Sequence, residues 1–300
     1  MSNRTRPEDK LAYALVTPAR NEETNLPFAG KGILDQTIPP RLWVIVDDGS
    51  TDRTPEIVRN LKTGRNWILG PTLPTHERDI RGHYAEVCKK GFDFAVSYLS
   101  TNEMDYHFLG LLDADTVVEP TYFEKLMAEF EKDPKLGLAS GCLFYEKEGR
   151  LVPEASDIGS PRGTGRLWTK SCFFETGGYL VSRAPPDVIS NVRAKLLDYR
   201  TRQFRSIVAV QRRPTSTADG AWVGYQEKGR SWHYMNAHPI LVLMNVIHFT
   251  AGRPRYRGAA FLLGYTEAFL RRDEKIEDQE IREYFWKVRP MEVLRSVFAR

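Results

Sequence analysis

Short apolar runs alternate with amphipathic stretches through the first 135 residues of the chain. Residues 11–16 (LAYALV), 42–46 (LWVIV) and 107–112 (HFLGLL) are nearly continuous apolar runs of strand length, as expected of strands buried on both faces. Each run stops at a polar cluster: Thr17-Pro18, Asp47-Asp48-Gly49-Ser50 and Asp113. Between the runs, apolar residues recur at helical spacing. Thr54-Pro55 opens one helix, with Thr54 as N-cap and Pro55 in the first turn. Residues 84–98 form a second amphipathic helix. Pro120 opens a third, with Phe123, Leu126, Met127 and Phe130 on one face. Strands alternating with helices predict βαβ units: an α/β fold with a mainly parallel twisted sheet flanked by helices.

After Gly137 the rhythm changes. Residues 138–145 read as a strand, 187–199 as a helix and 206–210 as a strand. Residues 149–165 are rich in Gly, Pro and Ser and read as a flexible loop that orders on binding. From Ala237 on, apolar stretches (PILVLMNVI, AAFLLGYTEAFL) alternate with basic ones (RPRYR, RR), the pattern of a helical C-terminal extension. The expected organisation is a polar tail at 1–10, a globular domain at 11–235 and the extension at 236–300. The domain divides into a first half at 11–135 and a second at 136–235.

Composition narrows the class. The chain has 300 residues, 41% hydrophobic and 27% charged, an ordinary globular balance. No apolar run reaches the ~18 residues of a membrane span, and the polar start is unlike a secretory leader. Cys88, Cys142 and Cys172 are widely spaced and odd in number, which fits free thiols in a cytoplasmic protein. Charge is uneven. Residues 162–213 hold 11 basic and 3 acidic side chains, which suggests an anionic ligand near this segment. Arg162, Arg166 and Lys170 would lie on the loop, with Arg212-Arg213 beyond it.

The polar clusters sit where the three strands end, and open α/β sheets bind ligands at the carboxyl ends of their strands. Asp47 and Asp48 follow a buried strand and need donors, for which a ribose or base edge is suitable. Asp113-Ala114-Asp115 would place both carboxylates on one side of an extended backbone. Two such carboxylates repel, and Mg²⁺ or Mn²⁺ removes that cost while sharing its shell with substrate phosphates.

Taken in order, P-A-x-N-E after the first strand, V-D-D-G-S-T-D after the second and L-D-A-D farther on resemble the family 2 glycosyltransferases. The resemblance spans about residues 11–214. It implies a GT-A fold and an inverting enzyme that uses a nucleotide sugar, UDP-sugar favoured, with Mn²⁺ or Mg²⁺ as cofactor. By the same resemblance Pro18, Ala19, Arg20 and Glu22 border the nucleotide, Asp48 contacts its base, Asp113 helps bind the nucleotide sugar, and Asp115 is the direct metal ligand. Thr176-Gly177-Gly178-Tyr179 resembles the segment lining the acceptor, with Arg212 on that side. Asp187 matches the place of the catalytic base and is the sole carboxylate between Glu175 and Asp198; it is equally suited to an N-cap. Two departures stand out: Arg20 replaces an aromatic residue common in the family, and no Glu adjoins Asp187.

Other classes lack their signatures. There is no P-loop, no G-x-G-x-x-G, no zinc spacing and no G-x-S-x-G elbow. Trp222 and Trp232 fit a buried aromatic core, so no nucleic-acid partner is expected. Two alternatives stand beside the glycosyltransferase: a nucleotidyltransferase, which would release pyrophosphate, and a non-catalytic sugar-nucleotide-binding protein. The expected partners are a nucleotide-sugar donor and a glycan or lipid-linked acceptor. The extension would lie on the anionic inner face of a membrane, pack on the domain, or form a homodimer contact.

Overall fold

The computed structural model describes residues 11–75, 83–147, 149–154, 158–212 and 220–298; the expected polar tail at 1–10 and Arg213 lie outside the described residues. The chain divides into two compact units. One holds residues 1–181 and 193–213, the other residues 182–192 and 214–300.

The first unit is built on β1 (Tyr13–Ala19), α1 (Leu26–Leu34), β2 (Leu42–Asp47), α2 (Thr54–Lys62), β3 (Ile68–Leu69), α3 (His83–Thr101) and β4 (Phe108–Leu111). It continues with β5 (Thr116–Val118), α4 (Tyr122–Lys132), β6 (Leu136–Lys147), β7 (Arg150–Pro153), β8 (Arg166–Thr169) and α5 (Lys170–Glu175). Helix α6 (Pro186–Leu196) leads to the last strand, β9 (Arg200–Gln211). The strands form one sheet in the order β3-β2-β1-β4-β8-β6-β9-β5, with β7 paired to β6.

Strands β3, β2, β1 and β4 are parallel, as the alternation of strands and helices requires. Beyond β4 the sheet is mixed: β8 runs antiparallel between β4 and β6, β9 is parallel to β6, and β5 is antiparallel to β9. The expectation of a mainly parallel sheet therefore describes the first half and gives way in the second. There, β6 and β7 form a hairpin and β8 returns antiparallel between β4 and β6, while helices still connect β5 to β6 and β8 to β9.

Alternate residues of β1 feed two cores. Tyr13 and Leu15 join Trp43, Ile45, Phe123 and Met127 on one face. Ala14 and Val16 join Val44, Val46, Phe92 and Leu99 on the other. Each large side chain removed from water in this way contributes about 1.5–3 kcal/mol. On α4, Phe123, Leu126, Met127 and Phe130 are buried as the spacing requires.

Four local expectations are corrected. Thr54 is not the N-cap of α2: Arg53 holds that position, and the buried Thr54 hydroxyl instead accepts the Glu22 N–H at 2.8 Å. A tertiary bond has outbid a local one. The 149–165 segment is not uniformly a flexible loop: residues 150–153 pair with β6, and its end is buried at Thr164. Arg166 is not on that loop but within β8. It is fully buried, with its guanidinium over Trp168 at 4.8 Å and Nη2 donating to Pro161 O at 2.8 Å. Strand β9 extends well before residue 206, because pairing with β6 begins at Arg200; Arg200, Arg202 and Arg205 hide the apolar pattern.

In the second unit, α7 (Ala221–Tyr234), α8 (Pro239–Ala251), α9 (Tyr256–Arg271), α10 (Gln279–Glu283), a π-helical turn at Tyr284–Val288 and α11 (Arg289–Phe298) follow in order. Helix α7, expected within the 11–235 domain, groups here with the helical extension. Helices α7 and α9 cross at near backbone contact, where a Cβ on Gly229 would lie 2.0 Å from Phe261 O and one on Gly264 2.0 Å from Gln226 O. Ala237, Val242 and Phe261 form a small core, with Trp232 and Phe249 against it. Trp222, expected to be buried, is 43% exposed, its ring 5.8 Å from that of Tyr256. It begins α7, where one side of the helix faces water.

Candidate active site

The loops after β1 and β2 close on each other residue by residue. Asn21 N–H donates to Ser50 Oγ at 3.0 Å, and Thr51 N–H donates back to Asn21 Oδ1 at 2.8 Å. Glu23 N–H reaches Asp52 Oδ2 at 3.1 Å, and Arg53 N–H reaches Glu23 Oε2 at 3.1 Å. Gly49 makes the turn with a φ of +63°, where any Cβ would sit 2.6 Å from Pro74 O. Asp52 shows the consequence of this closure. Burial pushes its carboxyl up, but bonds from the Thr54 hydroxyl and the Thr54 and Glu23 N–H groups outweigh burial and hold it below its ordinary value.

Within this frame Pro18 and Ala19 end β1, and Asp48 follows β2, its N–H donating to Ala19 O at 2.8 Å. The Asp48 carboxylate is buried between two cations or potential cations. Arg20 Nη1 lies 3.5 Å from Oδ2 and His83 Nε2 2.8 Å from Oδ1. The guanidinium that replaces the family's aromatic residue thus sits beside this carboxylate. Glu22 is buried and spends its Oε2 on Asn25 Nδ2 at 2.7 Å.

Leu111 pairs with Val16 in the β1–β4 register, so Asp113 emerges near the level of Pro18. The D-A-D stretch is not the extended backbone expected from sequence. Thr116 N–H donates to Asp113 O at 3.0 Å, closing a turn, so the alternate-residue argument does not apply. Asp113 is partly exposed, while Ala114 and Asp115 are buried. Asp113 N–H donates to Thr164 Oγ1 at 2.8 Å, and Thr164 in turn donates to Thr116 Oγ1 at 3.2 Å. Tyr84 O–H donates to Asp113 Oδ1 at 2.6 Å. Burial of that hydroxyl, then the adjoining Asp113 charge, holds the phenol well above its usual value.

Arg212 lies beside the same turn. Its N–H donates to Asp115 O at 2.9 Å, its Nε donates to Asn25 Oδ1 at 3.2 Å, and its guanidinium covers Phe28 at 3.8 Å. Gly177 and Gly178 form a left-handed turn after α5, with φ of +88° and +74°. Tyr179 follows, buried and stacked on Phe92 at 5.3 Å. Asp187 belongs to the second unit, half-buried in the first turn of α6. The structure therefore gathers Pro18, Ala19, Arg20, Glu22 and Asp48 around one pair of loops. Asp113, Asp115 and Arg212 meet at a second turn of the same unit.

Residues 14–187, more than half of the chain, match the family described as Glycosyl transferase family 2. The chain belongs to that family. It is 24% identical over 198 residues to a poly-beta-1,6-N-acetyl-D-glucosamine synthase of Staphylococcus epidermidis, covering 60% of this chain and 44% of that protein. The chain thus spans less than half the length of that curated relative. Among solved structures it resembles the mannosyltransferase PcManGT from Pyrobaculum calidifontis in complex with GDP-Man and Mn²⁺. The TM-score is 0.52 at 15% identity, covering 99% of this chain and 80% of that one. It also resembles S. aureus TarS 1-349 in complex with UDP-GlcNAc, with TM-score 0.51 at 14% identity, covering 90% and 78%. At such identities the likeness is one of fold, the GT-A arrangement.

In this family 2 chain the fit to a divalent cation can be tested on the donor set. Asp113 and Asp115 offer hard carboxylate oxygens, which suit Mg²⁺ or Mn²⁺. Among the described residues no three or more His, Cys, Asp or Glu side chains converge as a metal cage. The chemistry of Asp113 and Asp115 suits a cation whose shell is completed by substrate phosphates and water.

Sequence reasoning missed His83, Tyr84, Asn25 and Thr164, which hold the site's loops and carboxylates. The one available signal was weak: two polar-headed rings, His83 and Tyr84, at the opening of an amphipathic helix.

Proposed function

We propose that this chain is an inverting glycosyltransferase that moves one sugar from a nucleoside-diphosphate sugar, a UDP-sugar by preference, to a glycan or lipid-linked acceptor. The supporting observation is the convergence of Asp48 and the Asp113–Asp115 turn at the carboxyl ends of the parallel strands β2 and β4, where ligands of open α/β sheets bind. Pro18, Ala19 and Arg20 would border the nucleotide, with Asp48 on its base. Asp113 would hold the nucleotide sugar, and Asp115 would be the direct ligand of Mn²⁺ or Mg²⁺. When bound, the cation would neutralise charge on the diphosphate. Gly177, Gly178 and Arg212 would face the acceptor.

In the reaction, the acceptor oxygen forms a bond to the anomeric carbon as the bond from that carbon to the diphosphate oxygen breaks. Its electron pair leaves with the nucleoside diphosphate, and the acceptor proton passes to a carboxylate. Asp187 is the residue we assign to that step, from its place in the family motif. One displacement inverts the anomeric centre.

The test is nucleoside diphosphate release from a panel of UDP- and GDP-sugars, in Mn²⁺ or EDTA, by wild type and Asp115→Asn. Metal-dependent release lost in the variant is expected. Release of pyrophosphate would make the protein a nucleotidyltransferase. Donor binding without turnover over a broad acceptor panel would make it a binding protein.

The second unit supports a further part of this reading, contact with an anionic lipid surface. No Asp or Glu occurs between Glu227 and Glu267, and Arg253, Arg255 and Arg257 fall in that interval. Leu243 and Ile247 on α8, and Leu262, Leu263, Phe269 and Leu270 on α9, form exposed uncharged stripes. No helix among the described residues is long and apolar enough to cross a membrane, so the contact would be interfacial. Flotation with phosphatidylglycerol vesicles should retain the protein, and Ile247→Asp should release it. Equal behaviour with and without vesicles, together with a dimer by light scattering, would assign the stripes to self-association.

A further inference from the structure

Two consecutive residues at the start of α3 reach the two carboxylates on which the donor site depends. His83 Nε2 lies 2.8 Å from Asp48 Oδ1, and Tyr84 O–H donates to Asp113 Oδ1 at 2.6 Å. Successive side chains on a helix diverge by about 100°, so one turn can serve the ends of both β2 and β4 if the helix lies close enough to the sheet. Gly91 allows that approach: a Cβ there would lie 2.5 Å from Val16 Cγ1 and 2.9 Å from Val46 Cγ2.

The Tyr84 hydroxyl has one proton to give. Cys88, one turn along α3 and fully buried, adjoins Tyr84 and Tyr179. A thiol is a weak partner, so it does not compete with a carboxylate for that proton. The Tyr84 proton is therefore committed to Asp113. Asp113 is held from two directions, by Tyr84 at its carboxylate and by Thr164 at its main-chain N–H.

We propose that Tyr84 is a positioning residue for the donor site: its hydroxyl sets the orientation of the Asp113 carboxylate, and with His83 on Asp48 it makes the first turn of α3 the common brace of both donor carboxylates. This rests on the reading of Asp113 as part of the nucleotide-sugar and cation site. Tyr84 touches neither substrate nor cation in this role; it acts through Asp113. Orienting partners of this kind are worth about 10–100-fold in metal affinity or activity.

Tyr84→Phe removes the hydroxyl and keeps the ring. The experiment titrates UDP, and separately GDP, into wild type, Tyr84→Phe, Asp113→Ala and the double variant, each with Mn²⁺ and with EDTA, and records thermal unfolding of each. Tyr84→Phe is expected to weaken nucleotide binding about tenfold in Mn²⁺. The change in EDTA should be less than about twofold, and the unfolding midpoint should match wild type. In the Asp113→Ala background the same substitution should add nothing, because its effect passes through the missing carboxylate. Three results overturn the proposal: undiminished binding in Mn²⁺, equal losses with and without Mn²⁺, or additive losses in the double variant. Failure of the wild type to bind either nucleotide in Mn²⁺ overturns the donor-site reading and the brace together. It is recognised in the wild-type arm, before any variant is compared.

Discussion

The loops that carry Asp48 and Asp113 and the helices of the second unit are held by opposite means. Around Asp48, side chains close the structure: Asn21, Ser50, Asp52 and Thr54 each bond a main-chain N–H from the neighbouring loop. Around α7 and α9, missing side chains close it, since Gly229 and Gly264 let carbonyls approach where no Cβ fits. In the first region polar chemistry can be displayed to a ligand, because every loop end has a specific partner. In the second the close crossing is flanked by the Arg230–Glu267 pair between α7 and α9 at 2.6 Å, and apolar residues such as Leu243, Phe269 and Leu270 are left facing outward. Loss of a polar atom should therefore injure the first region, and added volume the second.

The largest expected effect is on chemistry. Asp115→Asn should lower turnover by about 10³-fold, roughly 4 kcal/mol in the barrier, with thermal unfolding near wild type. A parallel collapse in stability would show that the D-A-D turn is structural first. Next in size, Gly264→Val should destabilise the second unit by about 3–5 kcal/mol, since its Cβ would strike Gln226 O. Denaturant titration should show an early transition with nucleotide binding retained; a single unchanged transition would refute the close crossing.

Tyr122→Phe probes the first unit by subtraction. The Tyr122 hydroxyl donates to Gly165 O at 2.6 Å and accepts the Gly141 N–H at 2.9 Å, both buried. Its loss leaves two main-chain groups unsatisfied and should cost about 2 kcal/mol by denaturant midpoint. Thr54→Val removes the acceptor of Glu22 N–H and should cost about 1 kcal/mol; a value near zero would mean the loops are held without it.

The smallest effect is electrostatic and contrasts the units directly. The Asp133 carboxyl is held below its ordinary value by its bond from Arg200, and Glu267 likewise by Arg230. Both are depressed acids, so any stability they add is present above the ordinary carboxylate value and lost as pH falls through the folded one. The Arg200–Asp133 pair is largely exposed and the Arg230–Glu267 pair only partly buried, so acid titrations of Arg200→Ala and Arg230→Ala should differ only modestly from wild type, the second more than the first.

Much of the first region was legible before any coordinates. Strands β1, β2 and β4 announce themselves as continuous apolar runs, because both faces of a central parallel strand are covered. The clusters after them mark the ligand edge for the same topological reason. Strand β8 escaped, because Arg166 interrupts its pattern and only the slot between β4 and β6 makes Arg166 a strand residue. Strands β3 and β5 are two and three residues long, too short to carry a period. The flexible basic loop expected at residues 162–170 dissolved into a buried strand residue, an ion pair of Arg162 with Glu154 and a lysine over Tyr106. A charge count over that stretch does not show which side chains are already paired within the fold, as Arg162 and Lys170 are.

By itself, then, the order of residues determined the βαβ start, the strand-end placement of Asp48 and Asp113, the family and the helical nature of the C-terminal region. These follow from periodicity and from motifs read within a few residues of each other. Only the tertiary structure decided the mixed half of the sheet, the turn at Asp113–Thr116, the diversion of Thr54 from cap to loop tie, and the meeting of Tyr84 with Asp113. Each depends on pairs far apart in the chain, the Asp113–Thr116 turn through the ties of both its ends to Thr164. Tyr84 and Asp113 are separated by 29 positions, and their 2.6 Å contact exists because β4 pairs beside β1 while α3 packs over it. Local preference cannot specify such a contact; shared burial of distant segments can.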